Sequence, residues 1–249
     1  MYERLFIGNK LVELEEIDST NTYLQELVIN NENEIEGIVV VANNQYSGKG
    51  QRGNNWISEQ GENLTFSILL KPNIEVKNQF LISKVVSLGI IDFLLNKGLE
   101  NVKIKWPNDI YCNENKLSGV LIENSIKGSR IYNSIVGIGL NVNQTKFSSL
   151  VNVTSLKSVI RETLNLKESL DELLFFIEKR YLILKAGKVD LINSDYLTFL
   201  YWINESKTFL IDNKNIEGVI TGVSSIGKLQ LEINKQIREF DLKEIKFKI

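Results

Sequence analysis

Lys105-Trp106-Pro107-Asn108-Asp109-Ile110-Tyr111, followed after a short gap by Lys116-Leu117-Ser118-Gly119, is the stretch on which the reading of this chain turns. Val102 to Trp106 has the character of a strand. Pro107 ends it, because proline has no N–H to give the next ladder position. Asn108 and Asp109 then sit at a turn, and a second strand begins near Leu117. On this reading Lys105 and Lys116 lie at neighbouring strand ends with Asp109 close by. Two lysines and a carboxylate in one place suit a phosphate and a Mg²⁺ ion. A hairpin whose turn is kept polar for solubility would carry the same residue types.

Upstream lies Gln45-Tyr46-Ser47-Gly48-Lys49-Gly50-Gln51-Arg52-Gly53-Asn54-Asn55-Trp56. Its glycines let backbone N–H groups approach an anion, and Lys49 and Arg52 add positive charge. The spacing matches G-x-G-x-x-G, but a dinucleotide site needs a helix to start inside the motif. Here a polar run and then a strand pattern follow, so the segment reads as a loop over Asn43 to Gly61. Downstream, Gly137-Ile138-Gly139-Leu140-Asn141-Val142-Asn143 places glycines in a buried strand, the mark of something packed close to the backbone. Asn141 could read an adenine edge, since an amide both donates and accepts. Turn-forming asparagines at a strand end are the plainer reading.

Around these motifs the pattern is α/β. Thr20 to Ile29 reads as a helix behind the cap residues Asp18 and Ser19. Gly37–Ala42, Asn63–Leu70, Gly119–Glu123 and Ser134–Ile138 read as strands, and Phe80–Leu95 as a buried helix. Leu156 to Leu200 is helical in pattern. After Trp202, short β-rich runs separated by Asn213, Gly222, Gly227 and Asn234 suggest a small barrel. The expected domains are 1–203 and 204–249, with Trp202 at their junction.

The 249 residues are 43% hydrophobic and 24% charged, with a net charge of -2. That is ordinary for a globular protein and offers no general field for nucleic acid or acidic lipid. With no histidine, the Ser-His and Cys-His nucleophile systems are excluded. The single cysteine, Cys112, makes no internal disulfide, fits a reducing cytoplasm, and is read as inert. The most apolar stretch, Phe80–Leu95, is interrupted by Ser83, Lys84 and Asp92 and reads as too short to span a bilayer.

The three motifs, with Asp18-Ser19-Thr20-Asn21 ahead of them, closely resemble the biotin–protein ligases in order and spacing. The resemblance runs from about Leu14 to the end, and Lys105–Asp109 is its most specific part. It implies an α+β fold: a catalytic domain like that of class II aminoacyl-tRNA synthetases, with a mixed sheet and packed helices, and a C-terminal SH3-like β-barrel. It implies an ATP- and Mg²⁺-dependent ligase that makes biotinyl-5′-AMP. The biotinyl group then passes to a lysine of a biotin carboxyl carrier protein, of acetyl-CoA carboxylase or a related carboxylase.

Position by position, the resemblance assigns Ser19, Thr20, Asn21, Gln45, Gly48, Lys49 and Gly119 to biotin. Gly50, Gln51, Arg52, Trp56, Lys105, Asn108 and Asn141 go to ATP and the adenylate. Lys116 meets both the biotin carboxylate and the α-phosphate, and Lys116, Asp109 and Arg52 carry catalysis. Gln51 departs from the pattern, which often has arginine there; an amide cannot replace a guanidinium against phosphate. The resemblance also leads one to expect no DNA-binding domain, no nucleic-acid or membrane partner, and allows a homodimer. Competing readings are a lipoate or octanoate ligase or transferase, and a non-catalytic sensor of biotin or its adenylate. An acyl-CoA synthetase is disfavoured by length.

Overall fold

The computed structural model describes residues 3–30, 35–147 and 152–248. The chain begins with β1 (Leu11–Ile17), α1 (Thr20–Asn30) and β2 (Val39–Gln45). After the glycine loop come β3 (Leu64–Leu70), the two-residue β4 (Ile74–Glu75) and α2 (Phe80–Asn96). An antiparallel run follows: β5 (Val102–Lys105), β6 (Asp109–Cys112), β7 (Asn115–Lys127) and β8 (Arg130–Leu140). The helical stretch divides into α3 (Leu156–Ile160), α4 (Leu166–Lys185) and α5 (Val189–Phe199). The last part is β9 (Ser206–Ile211), β10 (Lys214–Val223), β11 (Leu229–Ile233), β12 (Gln236–Phe240) and β13 (Ile245–Phe247).

The first sheet runs β1-β2-β3-β8-β7-β6-β5, with β4 paired to β8 off the path. Only the β1–β2 pairing is parallel, so the sheet is mixed. The reading of Lys105 and Lys116 as ends of neighbouring strands is corrected: β6 lies between their strands. Four residues between two turns leave too little periodicity to show such a strand in the sequence.

Both faces of the sheet are covered. Phe66 and Ile68 of β3 and Val136 and Ile138 of β8 face the main core with α2 and α4. The opposite face carries Leu69 and Ile135, packed with Leu24 of α1. Helix α2 is buried around almost its whole circumference. With the preceding turn, Val76–Asn96 reaches the length and hydropathy of a membrane span, longer than the sequence reading allowed. Since 78% of its apolar window is buried inside the fold, the apolarity is that of a core helix. Arg180 of α4 clamps the helical layer, donating to both oxygens of Asp92 on α2 at 2.5 and 2.8 Å and to Asp195 on α5 at 2.5 Å. Such a forked, hydrogen-bonded pairing fixes orientation as well as distance.

The second sheet is antiparallel in the order β12-β11-β10-β9-β13. Trp202 stacks on Tyr201 and Phe247, with centroids 4.9 and 5.5 Å apart, and meets Phe209 edge-on at 6.0 Å. Trp106 donates its indole N–H to the Gly227 carbonyl at 2.8 Å. These contacts seat the second sheet against the β5 end of the first, which brings its last strand to the site.

Candidate active site

One lateral row crosses the first sheet: Leu14, Ala42, Thr65, Gly139, Gly119, Asp109 and Lys105 stand opposite one another in turn. Residues in one row share a face. Lys116 joins them by a bulge. Tyr111 pairs with Lys116 and Ile110 with Ser118, so Leu117 is an extra residue in β7. In a regular strand Lys116 and Gly119 would point to opposite faces, and the added residue puts them on the same one. The Lys116 ammonium then reaches Asp109 Oδ1 at 2.7 Å.

The glycines on this face make room for side chains from elsewhere. A Cβ on Gly139 would stand 2.2 Å from Trp56 Cε2, and one on Gly137 would stand 2.3 Å from Asn21 Oδ1. The Trp56 ring thus lies on the sheet over Gly139 and reaches Gly119. Lys116 Nζ is 5.8 Å from its centroid. The loop that delivers Trp56 is a short hairpin: Lys49 bridges Asn55, Gly50 N–H donates to the Asn54 carbonyl, and Trp56 N–H donates to the Gly48 carbonyl. Gln51–Gly53 forms a single 3₁₀ turn. No α-helix starts in this motif, in line with rejecting a dinucleotide fingerprint.

A cavity of about 440 Å³ opens on this face. Ser19, Thr20, Asn21 and Gln45 line one part of it, and all but Gln45 are buried. Thr20 donates its N–H to Gln45 Oε1 at 2.7 Å. The Ser67 hydroxyl donates to Asn21 Oδ1 at 2.6 Å and lies 2.7 Å from the Thr20 hydroxyl. Asn21 donates in turn to Glu123 Oε2 at 2.7 Å. This network fixes polar groups at one end of the cavity.

The other end is cationic. Among the described residues, Lys49, Lys105, Lys116 and Lys246 line the cavity against one carboxylate, Asp109. Lys105 donates to the Tyr111 hydroxyl at 3.2 Å, and its ammonium lies 4.9 Å from the Tyr111 ring centroid and 5.3 Å from that of Phe247. Burial lowers its pKa; Asp109 opposes that shift, and Lys116 adds to it. Burial pushes the Tyr111 hydroxyl up to about 12, with Asp109 and Tyr201 adding to the shift. Asn108 fixes the turn, donating its amide to the Val120 carbonyl at 2.6 Å and accepting from Val120 N–H at 3.0 Å.

Of the residues expected at a site, Ser19, Thr20, Asn21, Gln45, Lys49, Gly50, Gln51, Trp56, Lys105, Asn108, Asp109, Lys116 and Gly119 come together around this cavity. Gly48 and Asn141 do not line it. Gly48 sits behind the loop, where a Cβ would meet the Trp56 carbonyl at 2.6 Å. Asn141 is buried and donates to the Thr154 carbonyl at 3.0 Å. It braces the segment whose residues 152 and 154 hydrogen-bond to Lys116. The Arg52 side chain lies outside the described residues. Sequence reasoning missed Asn54, Asn55, Leu242, Ile245, Lys246 and Phe247, all on the cavity wall. The last four come from the second sheet and its final turn, which no local pattern ties to Asp109.

The model of the biotin/lipoate A/B protein ligase family matches residues 13–141, the segment that holds α1, the glycine loop and the whole Lys105–Gly139 row. The chain belongs to that family. The bifunctional ligase/repressor BirA of Bacillus subtilis is 27% identical over 237 residues, covering 94% of this chain and 72% of that protein. The biotin–[acetyl-CoA-carboxylase] ligase of Paracoccus denitrificans is 34% identical over 108 residues, 41% of this chain and 43% of that one. Among solved structures, the biotin protein ligase of Aquifex aeolicus in complex with biotin and ATP superposes with a TM-score of 0.78 at 27% identity. That match covers 96% of this chain and 99% of the other. In this family member, then, the helix α1 end, the glycine hairpin and the bulged β6–β7 pair all face one cavity.

Proposed function

We propose that this chain is a biotin–protein ligase that activates biotin with ATP and transfers it to one lysine of a biotin carboxyl carrier protein. The observation that carries this reading is the Lys105–Asp109–Gly119–Gly139 row, with Lys116 bulged onto the same face. It sets four lysines and one carboxylate beside a fixed polar network in one cavity. Relatives and solved structures named as biotin protein ligases support it.

In the first step a biotin carboxylate oxygen attacks the α-phosphorus of ATP. The bond from that phosphorus to the bridging oxygen breaks, and pyrophosphate leaves. Both reactants are anionic, so cations must stand between them. Lys116 is proposed to meet the carboxylate and the α-phosphate, with Lys49 and Lys105 on the remaining phosphate charge. A donor fixed at developing charge supplies about 2.7–4 kcal/mol, and in-line positioning about 7–11 kcal/mol. No general base is needed, because a carboxylate is already a nucleophile. In the second step the neutral amine of the carrier lysine attacks the acyl carbon, and the bond to AMP breaks. AMP departs with the electron pair, and the amine proton passes to Asp109.

At the polar end, Ser19, Thr20, Asn21 and Gln45 are proposed to hold the ureido head. Trp56 is proposed to move from Gly139 to pack near adenine, with Gly50, Gln51 and Arg52 beside the phosphates. Among the described residues no three Asp, Glu, His or Cys groups converge. Asp109 is the carboxylate that would help hold a Mg²⁺ ion arriving with ATP, and the ion would supply charge neutralisation there. Asn141 as adenine reader requires its bond to Thr154 to be exchanged for one to the base.

We also infer that residues 1–203 and 204–249 form two domains. The five-stranded antiparallel sheet is read as an SH3-like barrel and the first as the class II synthetase type. A net charge of -2 weighs against a nucleic-acid or membrane partner, and one cysteine supports a cytoplasmic setting. A homodimer is compatible with this reading. Biotin-dependent pyrophosphate release tests the function directly: a lipoate ligase would require lipoate instead, and a sensor would bind biotin without releasing pyrophosphate.

A further inference from the structure

Lys84 of α2 is 5% exposed, and no carboxylate pairs with it among the described residues. Its ammonium donates to Asn193 Oδ1 on α5 at 2.8 Å and lies 5.6 and 5.3 Å from the ring centroids of Phe80 and Tyr196. A neutral carbonyl and two ring faces return only part of the hydration that burial removes. Burial is the sole cause acting on its pKa, which falls to about 8, so no nearby anion offsets the cost.

Lys84 also borders a cavity of about 280 Å³ between helices α2 and α5 and strands β10 and β11. Among the described residues, this cavity shares no lining residue with the one lined by Trp56. Thr221, Ser225 and Gln230 of the second sheet add neutral polar groups, and Leu81, Val189 and Leu197 give an aliphatic wall. Among the described residues no aspartate or glutamate lines it. One cation, neutral polar groups and an apolar wall fit a small amphipathic monoanion. A multiply charged phosphate would lack the further cations it needs.

We propose that this cavity is a second binding site, taking a small aliphatic monocarboxylate whose carboxylate pairs with Lys84 and whose chain lies against Leu81, Val189 and Leu197. A ligand there touches both the helical layer and the second sheet, so it holds the two together and raises the melting temperature.

The test is calorimetric titration of the full chain with butyrate, with one equivalent of biotin, so that the cavity lined by Trp56 is filled and no free biotin, itself an aliphatic monocarboxylate, competes for this one. Butyramide and inorganic phosphate are titrated alongside. Expected are one-to-one binding of butyrate, at least tenfold weaker binding of the other two, and a melting temperature raised by butyrate. Lys84→Met should lose at least tenfold in butyrate affinity and keep biotin-dependent pyrophosphate release. Should that variant not fold, Ser225→Tyr on the exposed β10–β11 turn narrows the cavity and should lose the binding likewise. Absence of saturable heat, equal binding of butyramide or phosphate, or unchanged affinity in the folded variant would each overturn the proposal.

Discussion

The indole of Trp56 occupies the place of the side chain that Gly139 lacks: a Cβ there would lie 2.2 Å from Trp56 Cε2. The loop and the sheet are therefore fitted to each other through a missing side chain. Gly139→Ala should displace the ring, costing about 1–3 kcal/mol of stability and shifting tryptophan fluorescence. In a Trp56→Ala background the same glycine change should cost much less. An equal cost in both backgrounds would show that the ring does not rest on Gly139.

Lys116 and Gln51 should separate sharply in pyrophosphate release. Lys116→Ala removes the charge proposed for the reacting centre and should lower the rate about 10²–10³-fold. Gln51→Ala removes an amide that carries no charge and should cost less than about tenfold. A loss for Gln51→Ala as great as for Lys116→Ala would contradict the assignment of Lys116 as the principal charge stabiliser.

Phe247 lies with its ring centroid 5.3 Å from Lys105 Nζ and lines the cavity from the second sheet. Phe247→Ala should open that wall and raise the KM for ATP more than the KM for biotin, since the polar end of the cavity is built from the start of α1 and from β2, away from the second sheet. Steady-state kinetics with each substrate varied would reveal it. Equal changes in both constants would point to general loosening instead.

Lys84 gives a pH dependence with a definite sign. Its pKa is lowered to about 8 from 10.5. Below about 8 the folded and unfolded chains both hold the proton. Between about 8 and 10.5 the unfolded chain holds it and the folded chain has released it, so this group makes the folded state more stable as pH rises. Asn193, Phe80 and Tyr196 face the ammonium. Of these only Tyr196 titrates, and burial pushes it upward, out of this window. Wild type should therefore gain stability relative to Lys84→Met across that interval in denaturant titrations. A difference that does not change with pH would contradict the burial argument.

Much of the site was legible because its chemistry is local in sequence: Ser19–Asn21, the glycine hairpin, and Lys105 to Gly119 each read as a motif. Three things were not legible. The strand β6 is four residues long, so the lysines were read onto adjacent strands when a third lies between. The extra residue Leu117, which turns Lys116 onto the face of Asp109, changes the register without changing composition. Phe247 and Lys246 reach the cavity only because Trp202 and Trp106 seat the second sheet beside β5, a relation between distant segments. Leu156 to Leu200 is helical in pattern, as read, and Arg161 takes a left-handed conformation that ends α3 within it.

This cavity is proposed to join biotin to ATP through Lys116. Its most direct test is pyrophosphate release from ATP with biotin and, separately, with lipoate, on wild type and on Lys116→Ala. Release is expected with biotin alone, slowed at least a hundredfold in the variant. Release with lipoate and not biotin, or no release despite tight biotin binding, would contradict it.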